Sequence, residues 1–205
     1  VDLGRCSGIL PKDQIIPGEK LEMGSSVKVY VSKLEIGPKG PFIMLSRSHY
    51  GFVKRLLEIE IPELSDGTIM LYSVARDAGS RSKIAVYTEY TNVDPIGAVI
   101  GEKGRRIANV LKELSGEKID VILYDKDPVK FIANALSPAK DVKVSIKDET
   151  KKEALALVND KNLSLAIGKK GQNVKLASRL THYKIEVKPE EQENTETTEE
   201  TSVEE

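Results

Sequence analysis

The sequence predicts an α+β protein: two tandem copies of one unit, in the order helix, strand, strand, helix, helix, strand, preceded by part of a small all-β barrel. Three observations predict it. Val99-Ile100-Gly101-Glu102-Lys103-Gly104-Arg105-Arg106-Ile107 returns 67 residues later as Ala166-Ile167-Gly168-Lys169-Lys170-Gly171-Gln172-Asn173-Val174. Both read apolar-Ile-Gly-x-x-Gly-x-x-apolar. Behind each copy comes a matching segment, Lys118-Ile119-Asp120-Val121 and then Lys184-Ile185-Glu186-Val187, at a spacing of 66. Around both, apolar residues alternate where strands are expected and recur at helical spacing where helices are.

A G-x-x-G tetrapeptide alone means little in a chain with 15 glycines, and a third one serves as a control. Gly37-Pro38-Lys39-Gly40 lies between two strand-like runs and is followed by Pro41, so it reads as a hairpin loop with no helix to open. The other two are embedded in a repeated unit.

In chain order, residues 1–48 read as the barrel. Gly8-Ile9-Leu10-Pro11 ends one apolar run, Val27, Val29 and Val31 alternate in a second, and Phe42 to Leu45 fill a third. Ile16-Pro17-Gly18-Glu19 and Met23-Gly24 are turn chemistry. A five-stranded barrel needs more runs than these, so its first strand and part of the second are expected to be missing from a chain that begins at Val1 and is either trimmed or a fragment.

The first unit, 49–124, opens with Phe52, Val53, Leu56, Leu57 and Ile59 at near-helical spacing, stopped by Pro62. Strands are expected around Ile69 and Leu71 and around Ile84 and Val86, joined by a polar loop from Arg76 to Lys83. Asp94-Pro95 pairs a capping acid with proline at the first helical position. A helix to Ile100, the glycine loop, a helix over Ile107, Val110, Leu111 and Leu114, and a strand at 118–124 complete the unit. The second unit, 125–188, repeats the order. Asp127-Pro128 opens a helix with Phe131, Ile132, Ala135 and Leu136, then Val142, Val144 and Ile146 alternate, as do Leu155 and Leu157. Asn159 or Asp160 caps the next helix; the loop, a helix through Leu176, Ala177 and Leu180 and a strand at 183–187 come after it. With almost no linker, the units are expected to pack as one rigid block. Residues 189–205, rich in Glu and Thr, cannot bury enough apolar surface to order and read as a disordered acidic tail.

Composition excludes several classes. No apolar run approaches the roughly 18 residues of a membrane span, and no signal peptide is recognisable. One cysteine, Cys6, excludes an internal disulfide framework and a multi-Cys zinc site; it reads as a small buried residue in a reducing cytoplasm. The net charge of −1 hides an asymmetry. Residues from Lys188 onward carry eight Glu against one Lys, which leaves 30 Lys and Arg against 24 Asp and Glu before them. A basic body with an acidic tail fits a nucleic-acid binder. His49 and His182 have no partner at nucleophile or metal spacing, and no G-x-x-x-x-G-K-[ST] loop exists, which argues against an enzyme and against a GTPase.

Two glycines flanking two polar residues leave the backbone bare, and a helix start behind them favours an anion, so the repeated loops read as phosphate contacts. The element order with Ile-Gly-x-x-Gly resembles the KH family in its type II arrangement, whose loops clamp about four nucleotides of single strand. By that resemblance Gly101, Lys103, Gly104, Gly168, Lys169, Lys170 and Gly171 face phosphates, and Ile100, Ile107, Ile167 and Val174 floor the groove for bases. Glu102, Arg105, Arg106, Gln172 and Asn173 complete the candidate RNA-binding set. Glu102 departs from the pattern by placing a carboxylate where a phosphate would come.

The leading barrel is similar to the latter part of an S1-type OB domain. With Leu45-Ser46-Arg47-Ser48-His49, Gly51-Phe52-Val53-Lys54-Arg55-Leu56, Arg81-Ser82-Lys83-Ile84-Ala85-Val86, Asn92-Val93-Asp94-Pro95, Phe131 to Lys140 and Leu163 to Lys169, the chain up to the tail resembles the NusA family of bacterial transcription factors. The resemblance implies a monomeric, cytoplasmic, cofactor-free platform. It would bind single-stranded nascent RNA beside RNA polymerase and other Nus-type factors, modulating pausing, termination and antitermination. Without the family's N-terminal polymerase-binding domain, this chain is expected to bind RNA without full activity. The alternatives are a KH/S1-type module of an exoribonuclease-like or ribosome-associated protein, and a protein scaffold whose KH folds have lost RNA binding. The retained Lys169-Lys170 argues against the scaffold.

Overall fold

The computed structural model describes residues 1–37 and 40–190. Pro38 and Lys39 of the control loop and residues 191–205 of the expected acidic tail lie outside them. The first three strands form a small sheet in the order β1-β3-β2: β1 (Gly8–Ile9) runs parallel to β3 (Gly40–Ser46), and β2 (Tyr30–Gly37) runs antiparallel to it. Gly37 pairs with Gly40, as a hairpin requires. Val27 and Val29 precede β2 rather than belonging to it. Cys6, expected to be buried, is exposed. Cys6 lies in the bend before β1, outside the sheet, and packs into no core cluster. Ile16, by contrast, joins the core of the first unit.

That unit comprises α1 (Tyr50–Glu60), α2 (Pro62–Ser65), β4 (Met70–Asp77), β5 (Arg81–Tyr87), α3 (Pro95–Ile100), α4 (Arg105–Glu113) and β6 (Lys118–Leu123). Its sheet is ordered β4-β5-β6, with β6 parallel to the central β5. The core gathers Phe52, Val53, Leu56 and Leu57 of α1 with Ile84 and Val86 of β5 and Val110 and Leu114 of the α4 region. Ile59 breaks the expected phase and stays exposed; Ile61 is the buried residue, and Pro62 starts α2 instead of merely ending α1. The expected polar loop from Arg76 to Lys83 is also corrected. The strands continue through Asp77 and from Arg81, and their polar side chains are buried by pairing: Arg76 with Glu117, Lys83 with Asp120. Hydropathy alone cannot distinguish a solvated charge from a buried pair.

The second unit comprises α5 (Pro128–Ala135), β7 (Lys143–Asp148), β8 (Glu153–Val158), α6 (Asp160–Ile167), α7 (Gln172–Thr181) and β9 (Lys184–Pro189), with sheet order β7-β8-β9. In β8 the inward residues are Ala154, Ala156 and Val158, while Leu155 and Leu157 are half-buried on the opposite face. Period-two alternation does not say which face is inward. Here Ala135 and Ala177 of the covering helices meet Ala154 and Ala156, and small residues allow that close approach. The last strand reaches Pro189, and the Glu190 amide donates to the Val158 carbonyl at 2.8 Å, two residues past the expected end of the unit.

The two units share one core. Ala75, Ala85 and Ile122 of the first sheet's outer face pack with Phe131, Ile132 and Leu136 of the α5 region, Leu176 and Leu180 of α7, and Ile185 of β9. Helices α5 and α7 therefore touch both sheets. Polar links reinforce the joint: the Gln172 amide donates to Asp77 at 2.5 Å and to Ser80 at 2.7 Å, and Lys83 Nζ donates to the Ser137 carbonyl at 2.8 Å.

Candidate nucleic-acid interface

The two glycine loops adopt the same backbone. Gly101, Lys103 and Gly104 have φ of 73°, 52° and 73°; Gly168, Lys170 and Gly171 have 74°, 53° and 74°. The first glycine of each pair also has ψ near 170°, a region essentially reserved for glycine. A Cβ there would have no room: at Gly101 it would lie 2.6 Å from Arg106 Cγ, and at Gly168 2.8 Å from the Asn173 backbone nitrogen. The second glycine is left-handed but open, with nothing within 4 Å at Gly104 and only Lys175 Cε at 3.8 Å at Gly171. Each turn closes on itself, the Gly104 amide donating to the Gly101 carbonyl at 3.0 Å and Gly171 to Gly168 at 3.1 Å.

Each loop leads into a helix without a side-chain cap. Asp94, Asp127, Asn159 and His49 each accept an amide at the start of α3, α5, α6 and α1. At α4 and α7 that position is Gly104 and Gly171, whose missing side chains can accept nothing. The first-turn amides of these two helices lack intrahelical acceptors and carry the positive end of the helix dipole. An anion can supply what a capping residue supplies elsewhere in this chain.

The sixteen candidate residues divide into three groups. Glu102, Lys103, Arg105, Lys169 and Lys170 are exposed around the loops, and no ion pair holds any of them among the described residues. Gly101, Gly104, Gly168 and Gly171 shape the turns, with Ile100 and Ile167 partly exposed just before them. The rest are engaged by the fold. Ile107 packs against the first core and Val174 against the shared core. Arg106 pairs with Glu63 at 2.9 Å and donates to the Ala98 carbonyl. Gln172 is committed to the first unit through Asp77 and Ser80. Asn173 is 4% exposed; its Nδ2 donates to the carbonyls of Leu136, Leu165 and Ala166, and its Oδ1 has no protein partner. It fixes the end of α6, and hence the loop, from behind.

A groove that neither glycine loop marks lies between the units. It is open to solvent, with a volume of about 720 Å³. Ile96 of α3 and Val121 to Leu123 of the edge strand β6 form its apolar side, and the turn after α5, with Ala139, Lys140, Asp141 and Val142, forms the other. Only packing of the units brings these residues together, so no repeat signal could have found them.

Buried ion pairs hold the loops' supports. Glu117 accepts from Arg76 Nε at 3.0 Å and Nη2 at 2.9 Å, from the Gly79 amide at 3.1 Å and from Ser82 Oγ at 2.5 Å. Arg76 Nη1 also donates to the carbonyls of Arg47 and His49, and Arg47 pairs with Glu19 at 2.5 Å, tying the leading sheet to the first unit. Burial would raise the Asp120 carboxyl, but hydrogen bonds and charge from Arg81 and Lys83 outweigh it and hold the group below its ordinary value. Burial pushes Lys83 down, against the pull of Asp120. Among the described residues no cluster of His, Cys, Asp or Glu could hold a metal, and no helix is long and apolar enough to cross a membrane.

Two units of this topology, each with an Ile-Gly-x-x-Gly turn feeding an uncapped helix, define a tandem KH-domain protein of the type II arrangement. Residues 47–124 match the model of a NusA-like first KH domain, and residues 128–195 that of a NusA-like second KH domain. The chain belongs to the NusA family. It is 50% identical over 190 residues to the transcription termination/antitermination protein NusA of Halalkalibacterium halodurans, covering 93% of this chain and 50% of that one. The Bacillus subtilis protein of the same name is 49% identical over 190 residues, covering 93% and 51%, and that of Thermus thermophilus 47% over 185 residues, covering 90% and 48%. The chain thus spans about half the length of these relatives.

Proposed function

We propose that this chain is the RNA-binding portion of a transcription termination/antitermination factor. In this reading it holds single-stranded nascent RNA next to RNA polymerase in the cytoplasm, so that pausing, termination and antitermination respond to the emerging transcript. The observation that carries the reading is the near-identity of the two loop backbones on units joined by one core. The relatives' shared name supplies the transcriptional context; the polymerase and other Nus-type partners belong to the whole protein.

Each loop lets a sugar-phosphate chain approach to backbone distance, and the open helix start behind it stabilises the phosphate charge. Lys169 and Lys170 strengthen the second loop; Glu102 offsets Lys103 in the first. With few aromatics, base recognition rests on edge hydrogen bonds against aliphatic surface rather than on stacking. Two rigidly joined sites on one strand gain affinity through effective concentration, because binding at the first makes the second intramolecular. Joint Lys169→Ala and Lys170→Ala substitution should weaken single-stranded RNA binding and lower the slope of log K against log salt by about 0.7 per lost phosphate contact. Titration at several salt concentrations reads this directly; an unchanged slope contradicts the assignment.

A further inference from the structure

We propose that Lys140 and Asp141, carried by the second unit, determine which nucleotide the first unit accepts. This rests on the RNA-binding function proposed for the loops and assigns a composite subsite to it. The inter-unit groove has an apolar side from the first unit, Ile96, Val121 and Leu123, and a polar side from the second. Ile96 lies in the first turn of α3, and Gly101 comes directly after its last residue; six helical residues span about 9 Å, so groove and first loop sit at the two ends of one short helix. A strand gripped at the loop therefore has a nucleoside within reach of the groove, whose size is in the range of small-ligand sites.

The polar side is held in place before any ligand arrives. Three side chains fix its backbone: Asn173 Nδ2 on the Leu136 carbonyl at 3.0 Å, Lys83 Nζ on the Ser137 carbonyl at 2.8 Å, and Asn162 Nδ2 on the Lys140 carbonyl at 3.0 Å. Lys83 comes from the first unit, so both units set this turn. The side chains of Lys140 and Asp141 are exposed and have no partner among the described residues, leaving one donor and one acceptor group for a base edge or a phosphate. Asn134, also lining the groove, is anchored by Nδ2 on the Leu123 carbonyl at 3.1 Å. The charge arithmetic fits the same occupant. The first loop carries Glu102 where the second has Lys169, and the Lys140 ammonium supplies a cation in the groove at the other end of α3. A base edge discriminated by polar groups against an aliphatic wall is the recognition mode expected of a chain with no Trp.

A double-mutant cycle on the full chain tests this, using a labelled single-stranded RNA of about ten nucleotides selected from a random pool, long enough for two clamps of about four. Gly104→Asp disables the first loop and Gly171→Asp the second; both positions have space for a side chain. Lys140→Ala should weaken binding about tenfold in the wild-type and Gly171→Asp backgrounds, the worth of one charge-assisted contact, and have no further effect with Gly104→Asp. Equal losses in the Gly104→Asp and Gly171→Asp backgrounds, a loss confined to the Gly104→Asp background, or no loss at all overturns the proposal. Asp141→Asn, which tolerates the left-handed φ of 55° at this position, should change the preferred base at one position of the selected RNA; an unchanged preference overturns its role. If Gly104→Asp alone leaves affinity intact, the assignment of the first loop fails, and this subsite with it. Melting temperatures should stay at the wild-type value for both turn variants, since neither side chain is bonded to the fold.

Discussion

Gly168 and Gly171 look interchangeable as a pair of loop glycines, yet their surroundings differ. Gly171 needs only a left-handed φ, which Asp tolerates, and a side chain there meets nothing closer than Lys175. Gly168 combines positive φ with extended ψ and lies against the Asn173 backbone. Gly171→Asp should therefore abolish RNA binding by the second unit with a smaller loss of stability than Gly168→Asp, a gel shift and a circular-dichroism melt reading the two effects separately. Gly168→Asp should lower the melting temperature as well, because Asn173 and the three carbonyls it holds must move. A Gly168→Asp protein as stable as wild type would show that the loop is not braced in this way.

At the scale of elements, the β4–β5 hairpin and the strand β6 are set by buried charge. Glu117 is completely buried beneath Arg76 and has four polar donors. Glu117→Gln keeps the shape but strands the guanidinium, and should cost about 3 kcal/mol, measurable as a shift in the urea midpoint at unchanged m-value. Asp120, pulled below its ordinary value despite burial, adds a pH dependence. A depressed carboxyl binds its proton less readily folded than unfolded, so its contribution is present above the unfolded value of about 3.9 and is lost as pH falls through the folded value. Asp120→Asn should lower stability at neutral pH and flatten the acid limb of the stability profile; an acid limb as steep as that of wild type would remove Asp120 from this role.

For the whole molecule, the shared core makes the two units thermodynamically one. The outer face of the first sheet, with Ala75, Ala85 and Ile122, is covered by α5 and α7 of the second unit, and Lys83 with Asp120 is buried at the same joint. Thermal or urea unfolding of the described block should show one transition, with calorimetric and van't Hoff enthalpies agreeing. A chain ending at Tyr124 would expose that face and an ion pair adapted to burial, and should melt well below the intact protein. Two separable transitions would mean that the units are independent beads. Rigidity of this joint is also what fixes the distance between the loops and so the length of RNA that can engage both.

The repeat itself, the strand and helix order, the caps at Asp94, Asp127 and Asn159 and the two glycine turns could all be read from residue spacing, because each depends on local backbone chemistry: a period, a cap, a positive φ. Orientation and pairing could not. Alternation in β8 marks a strand but not which side meets the helices, and close helix packing chose the alanines over Leu155 and Leu157. Arg76, Lys83 and Glu117 look solvated in one dimension and are buried in three, since each is satisfied by a residue tens of positions away. Asn173 sits in a binding motif but serves as a brace, and Lys140 lies outside both glycine loops but lines the groove between the units. The chain's local chemistry determined that there are two glycine turns, each opening an uncapped helix; only the docking of one unit on the other, driven by burying an apolar sheet face, decided what surrounds them.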